Sequence, residues 1–178
     1  TLLGKSLLSW TLEAAVKSRH ISWIGIIGQP IDFPDFQKNI SDFSTDKHIE
    51  LIEGGATRQE SVYKGLQALP SASQRVLIHD GARCLATPEL LDRCAKEILK
   101  CPGIIASVPV KDTIKVVDPS GLIQDTPDRR NLWAAQTPQG FDIRLLKECH
   151  EKGRQLGWEV TDDAALFEKC GLPVKIIE

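Results

Sequence analysis

Apolar positions along this chain fall into two rhythms. In the first they return every three or four residues, the period of a helix with one buried face. Leu8, Leu12 and Ala15 follow it, which predicts a helix over residues 6–18. Val62, Leu66 and Leu69 follow it after Thr57-Arg58-Gln59-Glu60, whose T-x-x-E form is that of a capping box. Leu91, Cys94 and Ile98 follow it after Thr87-Pro88, a cap and a proline suited to a first helical turn. Residues 142–156 read as a further helix. Thr161-Asp162-Asp163 opens a last one with acidic residues at its positive end, and Gly171 and Pro173 stop it.

The second rhythm is a series of short runs rich in apolar residues. Trp23–Ile27, Ile49–Ile52, Val76–Ile78, Ile104–Val110 and Val174–Ile177 are too short for helices and predict buried strands. Residues 28–46 carry Pro30, Pro34, Asn39 and several aspartates, which predicts loop or weak helix. Thr113–Val117 prolongs the fourth run as a ribbon. Asp118-Pro119-Ser120-Gly121 turns it, and Leu122-Ile123 returns antiparallel. Strands alternating with helices predict an α/β fold, Rossmann-like, with a mostly parallel sheet covered on both faces. No repeat or linker divides the chain, so one domain over residues 1–178 is expected, with a β-arm at about 111–135.

Composition narrows the function. A net charge of −2 argues against a nucleic-acid binder. No apolar run approaches the roughly 20 residues that span a bilayer, and no signal peptide is visible. The five cysteines are odd in number and lack a C-x-x-C pair, which predicts reduced thiols in a cytoplasmic protein rather than a disulfide frame or zinc site. G-x-S-x-G, H-E-x-x-H, P-loop and G-x-G-x-x-G signatures are all missing. The chain opens Thr1-Leu2-Leu3 and contains no Met, so it is read as a fragment.

Ligands of open α/β sheets sit beyond the carboxyl ends of the strands. Two loops fall there. Gly54-Gly55-Ala56-Thr57-Arg58-Gln59-Glu60-Ser61 combines glycines that admit a ligand to the backbone with a helix start that offers free N–H groups. Ser61 could bond a base; the alternative is a plain strand-to-helix turn. His79-Asp80-Gly81-Ala82-Arg83 sets a carboxylate and a guanidinium three residues apart, which suits Mg²⁺ and phosphate, or else a pair that merely fixes the loop. Two further segments, Lys111–Lys115 and Asp128–Gln139, are rich in phosphate-binding types, the alternative being a solvated ribbon.

Five motifs in series carry a family resemblance: Gly-Gly-x-x-Arg-x-x-Ser-Val at 54–62, His-Asp-x-Ala-Arg at 79–83, Val-Pro-Val-Lys-Asp-Thr-Ile-Lys at 108–115, Arg-x-x-Leu-Trp-x-x-Gln-Thr-Pro-Gln-x-Phe from Arg129 to Phe141, and Thr-Asp-Asp-Ala at 161–164. In this order the chain resembles the 2-C-methyl-D-erythritol 4-phosphate cytidylyltransferases of non-mevalonate isoprenoid synthesis. The resemblance implies a nucleotidyltransferase that joins CTP to methylerythritol phosphate and releases pyrophosphate. It implies Mg²⁺ as cofactor and a homodimer whose arm reaches the neighbouring subunit. Gly54, Gly55 and Ser61 would hold CTP. Asp80 and Arg83 would be catalytic, with Asp80 serving the metal. Gly81, Arg83, Thr113, Arg129 and Thr137 would bind the substrate, Thr113 and Arg129 from the partner's arm. The family's front glycine-rich loop and a lysine near its end would precede Thr1 and follow Glu178, so the printed chain is expected to be inactive by itself. Gly81 and Cys84 stand where the family usually has Ala and Pro. A ribitol 5-phosphate cytidylyltransferase and a non-catalytic dimeric nucleotide-binding protein are the competing readings.

Overall fold

The computed structural model describes residues 1–178. The helices are α1 (Leu7–Lys17), α2 (Phe33–Ser41), α3 (Arg58–Ala68), α4 (Pro88–Glu97), α5 (Ile143–Gln155) and α6 (Asp163–Lys169). Five of the six open on a side-chain cap: Ser6, Thr57, Thr87, Asp142 and Asp162 each accept a hydrogen bond from an N–H of the first turn. At α3 the expected box is shifted by one residue. Thr57 accepts from the Glu60 N–H, but the Glu60 carboxylate reaches the Ala56 N–H at 2.8 Å. The segment expected as loop or weak helix holds α2, which has Pro34 in its first turn and buries none of its residues.

The strands are β1 (Trp23–Gly28), β2 (His48–Glu53), β3 (Arg75–Ile78), β4 (Gly103–Pro109), β5 (Val116–Val117), β6 (Ile123–Asp125), β7 (Trp133–Asp142) and β8 (Lys175–Ile177). β1 and β2 pair in parallel. The main sheet runs β3-β7-β4-β8, and β7 lies antiparallel to both its neighbours while β4 and β8 are parallel. Three of its four strands therefore share one direction, and the fold is α/β of the expected Rossmann-like kind.

β7 is the element the apolar pattern does not announce. Its sequence, Trp-Ala-Ala-Gln-Thr-Pro-Gln-Gly-Phe-Asp, carries a proline and two glutamines, and proline is rare in a central strand because it cannot donate to the ladder. Here the ladder with β4 is irregular between Ile105 and Ser107, opposite the stretch that holds Pro138. The arm is correspondingly shorter than expected. Trp133, Ala134 and Ala135 pair with Pro109, Val108 and Ser107, so the projecting segment is 110–132 rather than 111–135. Within it only Val116–Val117 and Ile123–Asp125 form ladder.

β4 shows why both faces are covered. Ile104 points into a cluster with Cys94, Ile98 and Ile177, on the α4 side. Ile105, one residue on, points the other way, into a larger cluster with Leu66, Phe141, Leu146 and Phe167 under α3, α5 and α6. The Phe141 and Phe167 rings meet at 4.7 Å between centroids, with neither residue exposed.

No ladder joins β1 to β3. Between them lies a cavity of about 560 Å³ lined chiefly by apolar side chains, among them Leu8, Ile24, Ile26, Val76 and Ile78. Its wall includes His79, Gly81 and Ala82, so it rises to the loop after β3. No helix is long and apolar enough to cross a membrane.

Candidate active site

The loop after β2 closes on itself. The Gly54 N–H donates to the Gly28 carbonyl at 2.8 Å, which ties the loop to the end of β1. The Gly55 N–H donates to Ser61 Oγ at 2.9 Å, and Ser61 Oγ donates in turn to the Thr57 carbonyl at 2.9 Å. Lys64 Nζ donates to the Gly54 carbonyl at 2.8 Å. A Cβ on Gly54 would stand 3.1 Å from Ser61 Oγ, a tight contact that would press on the serine. Gly54, Gly55 and Ser61 are thus brought together as expected. The Ser61 hydrogen is already committed to Thr57, which leaves its oxygen one free lone pair for a base.

The loop after β3 is held by the strand that sequence patterning missed. Ile78 pairs with Gln139; two residues further along the same register, Asp80 faces Thr137. The Asp80 N–H donates to Thr137 Oγ1 at 3.2 Å. His79 Nε2 faces the Arg83 carbonyl at 3.3 Å, and a carbonyl only accepts, so the ring hydrogen is on Nε2. His79 Nδ1 is then the acceptor for the Thr137 hydroxyl at 2.8 Å. Burial holds the His79 imidazole below its usual pKa, against the opposing pull of the Arg83 carbonyl and the Asp80 charge. A neutral ring is what this chain of bonds requires. Thr137, 7 % exposed, fastens the loop after β3, and its proton is not free for a phosphate.

Arg83 Nε donates to Asp80 Oδ2 at 3.1 Å, and Arg83 Nη1 donates to Gln136 Oε1. The other Asp80 oxygen lies 3.9 Å from Arg58 Nε. Arg58 is the first residue of α3, so the two loops meet across an arginine–aspartate–arginine line. All three side chains are about 40 % exposed and open to a ligand. Gly81 is exposed beside them, and its carbonyl accepts from Thr11 Oγ1 at 2.8 Å.

Sequence reasoning assigned no role to Arg58, Gln136, His150 or Asp163. Arg58, Gln136 and Asp163 each stood in one of the five motifs, the signal available; His150 stood in none. Asp163 was read as a helix-dipole carboxylate. It is instead buried, 1 % exposed, and accepts from Arg58 Nη1 at 2.9 Å and from His150 Nε2 at 3.0 Å.

The structure does not bring Thr113 and Arg129 to this cluster through any hydrogen bond or ion pair. Both are exposed on the arm, and Arg129 Nη1 donates to the Lys111 carbonyl at its base.

No group of three or more His, Cys, Asp and Glu side chains is placed to cage a metal. One half-exposed carboxylate, Asp80, stands between Arg58 and Arg83. That donor set suits Mg²⁺, which keeps most of its waters and is usually held by one or two carboxylates together with substrate phosphates.

A Rossmann-like sheet with a glycine loop after one strand and an Asp–Arg loop after the next defines a nucleotidyltransferase. Solved structures agree. The 4-diphosphocytidyl-2C-methyl-D-erythritol synthase of Anaerococcus prevotii superposes with a TM-score of 0.93 at 31% identity, over 99% of this chain and 78% of that one. The 2-C-methyl-D-erythritol 4-phosphate cytidylyltransferase of Thermus thermophilus superposes at 0.78 with 30% identity, over 98% and 79%. In sequence, the enzyme of that name from Trichodesmium erythraeum is 92% identical over all of this chain and 79% of its own length. That of Crocosphaera subtropica is 68% identical, over 100% and 78%. The family model for 2-C-methyl-D-erythritol 4-phosphate cytidylyltransferase matches residues 1–178, and the chain belongs to that family.

Proposed function

We propose that the joined Gly54–Ser61 and His79–Arg83 loops carry the family's reaction, cytidylyl transfer from CTP to 2-C-methyl-D-erythritol 4-phosphate. The observation that carries the reading is the Arg58–Asp80–Arg83 line, with its side chains half-exposed at the carboxyl ends of β2 and β3. An oxygen of the alcohol's phosphate attacks the α-phosphorus of CTP in line. A new P–O bond forms, the bond to the bridging oxygen of the β-phosphate breaks, and pyrophosphate leaves. No covalent enzyme intermediate is needed, so the protein positions reactants and neutralises charge.

Gly54, Gly55 and Ser61 receive the cytosine end through the remaining lone pairs of the glycine carbonyls and of Ser61 Oγ. Arg83 and Arg58 present guanidinium groups to phosphate oxygens. Asp80 would hold Mg²⁺ arriving with the triphosphate, directly or through water; the ion supplies positive charge to the phosphates. Thr137 and His79 keep Asp80 in place, and Gly81 leaves the substrate side open. Thr113 and Arg129 clasp the alcohol phosphate from the arm of a second copy. The five free thiols suit a reducing compartment, and we place the enzyme in the cytoplasm.

The test is pyrophosphate release from the full-length gene product with CTP, Mg²⁺ and either methylerythritol phosphate or ribitol 5-phosphate. Turnover with the first and little with the second is expected. Asp80→Asn should lower turnover by about two orders of magnitude, the scale of losing one strong electrostatic group. Near-normal turnover in that variant removes Asp80 from the chemistry, and CTP binding without pyrophosphate release favours a non-catalytic nucleotide-binding role.

A further inference from the structure

Asp163 and His150 touch no proposed ligand, yet they are among the most deeply buried polar side chains, 1 % and 0 % exposed. A carboxylate in such a place is costly unless each oxygen is answered. His150 Nε2 donates to Oδ1 at 3.0 Å and Arg58 Nη1 donates to Oδ2 at 2.9 Å. His150 Nδ1 is buried with no partner. An apolar side chain would fill that space without an orphaned nitrogen. The ring's contribution therefore lies in the hydrogen bond it gives Asp163.

That bond has a consequence at the site. The guanidinium of Arg58 is planar and rigid, so fixing Nη1 fixes the direction of Nε. Nε is the atom that stands 3.9 Å from Asp80 Oδ1. Asp163 is itself well anchored. It opens α6 beside Asp162, whose carboxylate caps Ala165 and accepts from Gln139 Nε2 of β7 at 2.9 Å. Gln139 Oε1 also accepts the Ala164 N–H at 3.3 Å. His150, on α5, lies with its ring centroid 6.0 Å from that of Tyr63 on α3. A continuous line of contacts thus runs from the buried face of α5, through the first turn of α6, to the head of α3 and the Asp80 carboxylate.

We propose that His150 and Asp163 are positioning residues that aim the Arg58 guanidinium, so that Asp80 is held between Arg58 and Arg83 for the incoming triphosphate. This rests on the reading of Asp80 and its arginines as the reacting site. Arg58 is too exposed to be held by packing alone; without the buried pair its long side chain swings through solvent.

The experiment is a mutant cycle on the full-length gene product, using His150→Leu, His150→Gln, Asp163→Asn, Arg58→Ala, Asp80→Asn and the His150→Leu/Arg58→Ala double variant. His150→Leu should lower kcat about tenfold, the scale of losing one hydrogen bond to a charged group. KM for methylerythritol phosphate should stay the same. His150→Gln, which can still donate to Asp163, should recover most of the loss. Asp163→Asn should match His150→Leu or exceed it, since an amide cannot accept from both partners. In the Arg58→Ala background His150→Leu should cost nothing more, because the group it acts through is gone. Without substrates, ¹⁵N spectra should show restrained Arg58 guanidinium signals in the wild type and His150→Gln, and averaged ones in His150→Leu.

Unchanged kcat in a folded His150→Leu protein overturns the proposal, as does a loss that multiplies with that of Arg58→Ala. Should His150→Leu fail to fold, Asp163→Asn and His150→Gln decide it by the same kcat and guanidinium readouts. Full turnover in Asp80→Asn defeats the site reading instead, and the guanidinium spectra then still report whether His150 restrains Arg58.

Discussion

Around Asp80 the charged side chains answer one another within the chain: Arg58 and Arg83 flank Asp80, and Arg58 and His150 share Asp163. Along the 110–132 arm, apolar side chains stand in water instead. Val116, Val117, Leu122 and Ile123 are 48 to 66% exposed, and no buried residue of either core cluster lies between 110 and 132. A two-stranded ribbon of this size is marginal by itself, and an exposed apolar patch usually marks an interaction surface. One region is completed by its own chain. The other leaves an apolar surface uncovered, and under the proposed function a second copy of the chain is its occupant, with Arg129 and Thr113 delivered to that copy's pocket.

The largest effect that bears on this contrast lies in the core. Phe141→Ala should destabilise the fold by about 3–5 kcal/mol, since it opens a cavity under fully buried neighbours. Leu122→Ser with Val117→Ser should leave the monomer's denaturation midpoint almost unmoved. Urea unfolding of both variants reads the difference directly; comparable losses would show that the arm packs on its own chain after all.

Next in size is association. The Leu122→Ser/Val117→Ser protein should weaken self-association by about 2 kcal/mol, as expected when interface anchors are removed. Sedimentation velocity across a concentration series measures it, and an unaltered profile would place the interface elsewhere.

A smaller change tests what the arm delivers. Arg129→Ala should raise KM for methylerythritol phosphate about tenfold, as for one charge-assisted hydrogen bond, and leave that for CTP unchanged. Mixing Arg129→Ala with Asp80→Asn should restore activity, because one of the two sites in a mixed dimer is then intact. Mixtures as poor as the parents would argue that each chain serves its own site.

The smallest effect lies away from both regions, in an ion pair that leaves the site alone. Lys100, then Lys175, hold the Glu97 carboxyl down at about 2 from its ordinary 4.5. A lowered carboxylate contributes stability above its unfolded pKa and loses it as pH falls toward the folded one. The small difference in melting temperature between wild type and Glu97→Gln should therefore persist at pH 6 and fade between about 4.5 and 2. Turnover at neutral pH should not change.

The chain's own order of residues was enough for the α/β class, the helix caps at Thr57 and Thr87, and the two glycine- and aspartate-bearing loops. These depend on neighbours in sequence, because period and capping act over a single helical turn. The five motifs added the family. β7 and the partners of Asp163 were decided by the tertiary structure. A strand with Pro138 and two glutamines survives only because β3 and β4 enclose it, and its register then carries Thr137 to Asp80. Asp163 looks like any first-turn carboxylate until α5 and α3 bring His150 and Arg58 to its two oxygens across 13 and 105 residues of chain. Burial converts a common acidic residue into a fixed point, and burial belongs to the packed molecule rather than to any stretch of sequence.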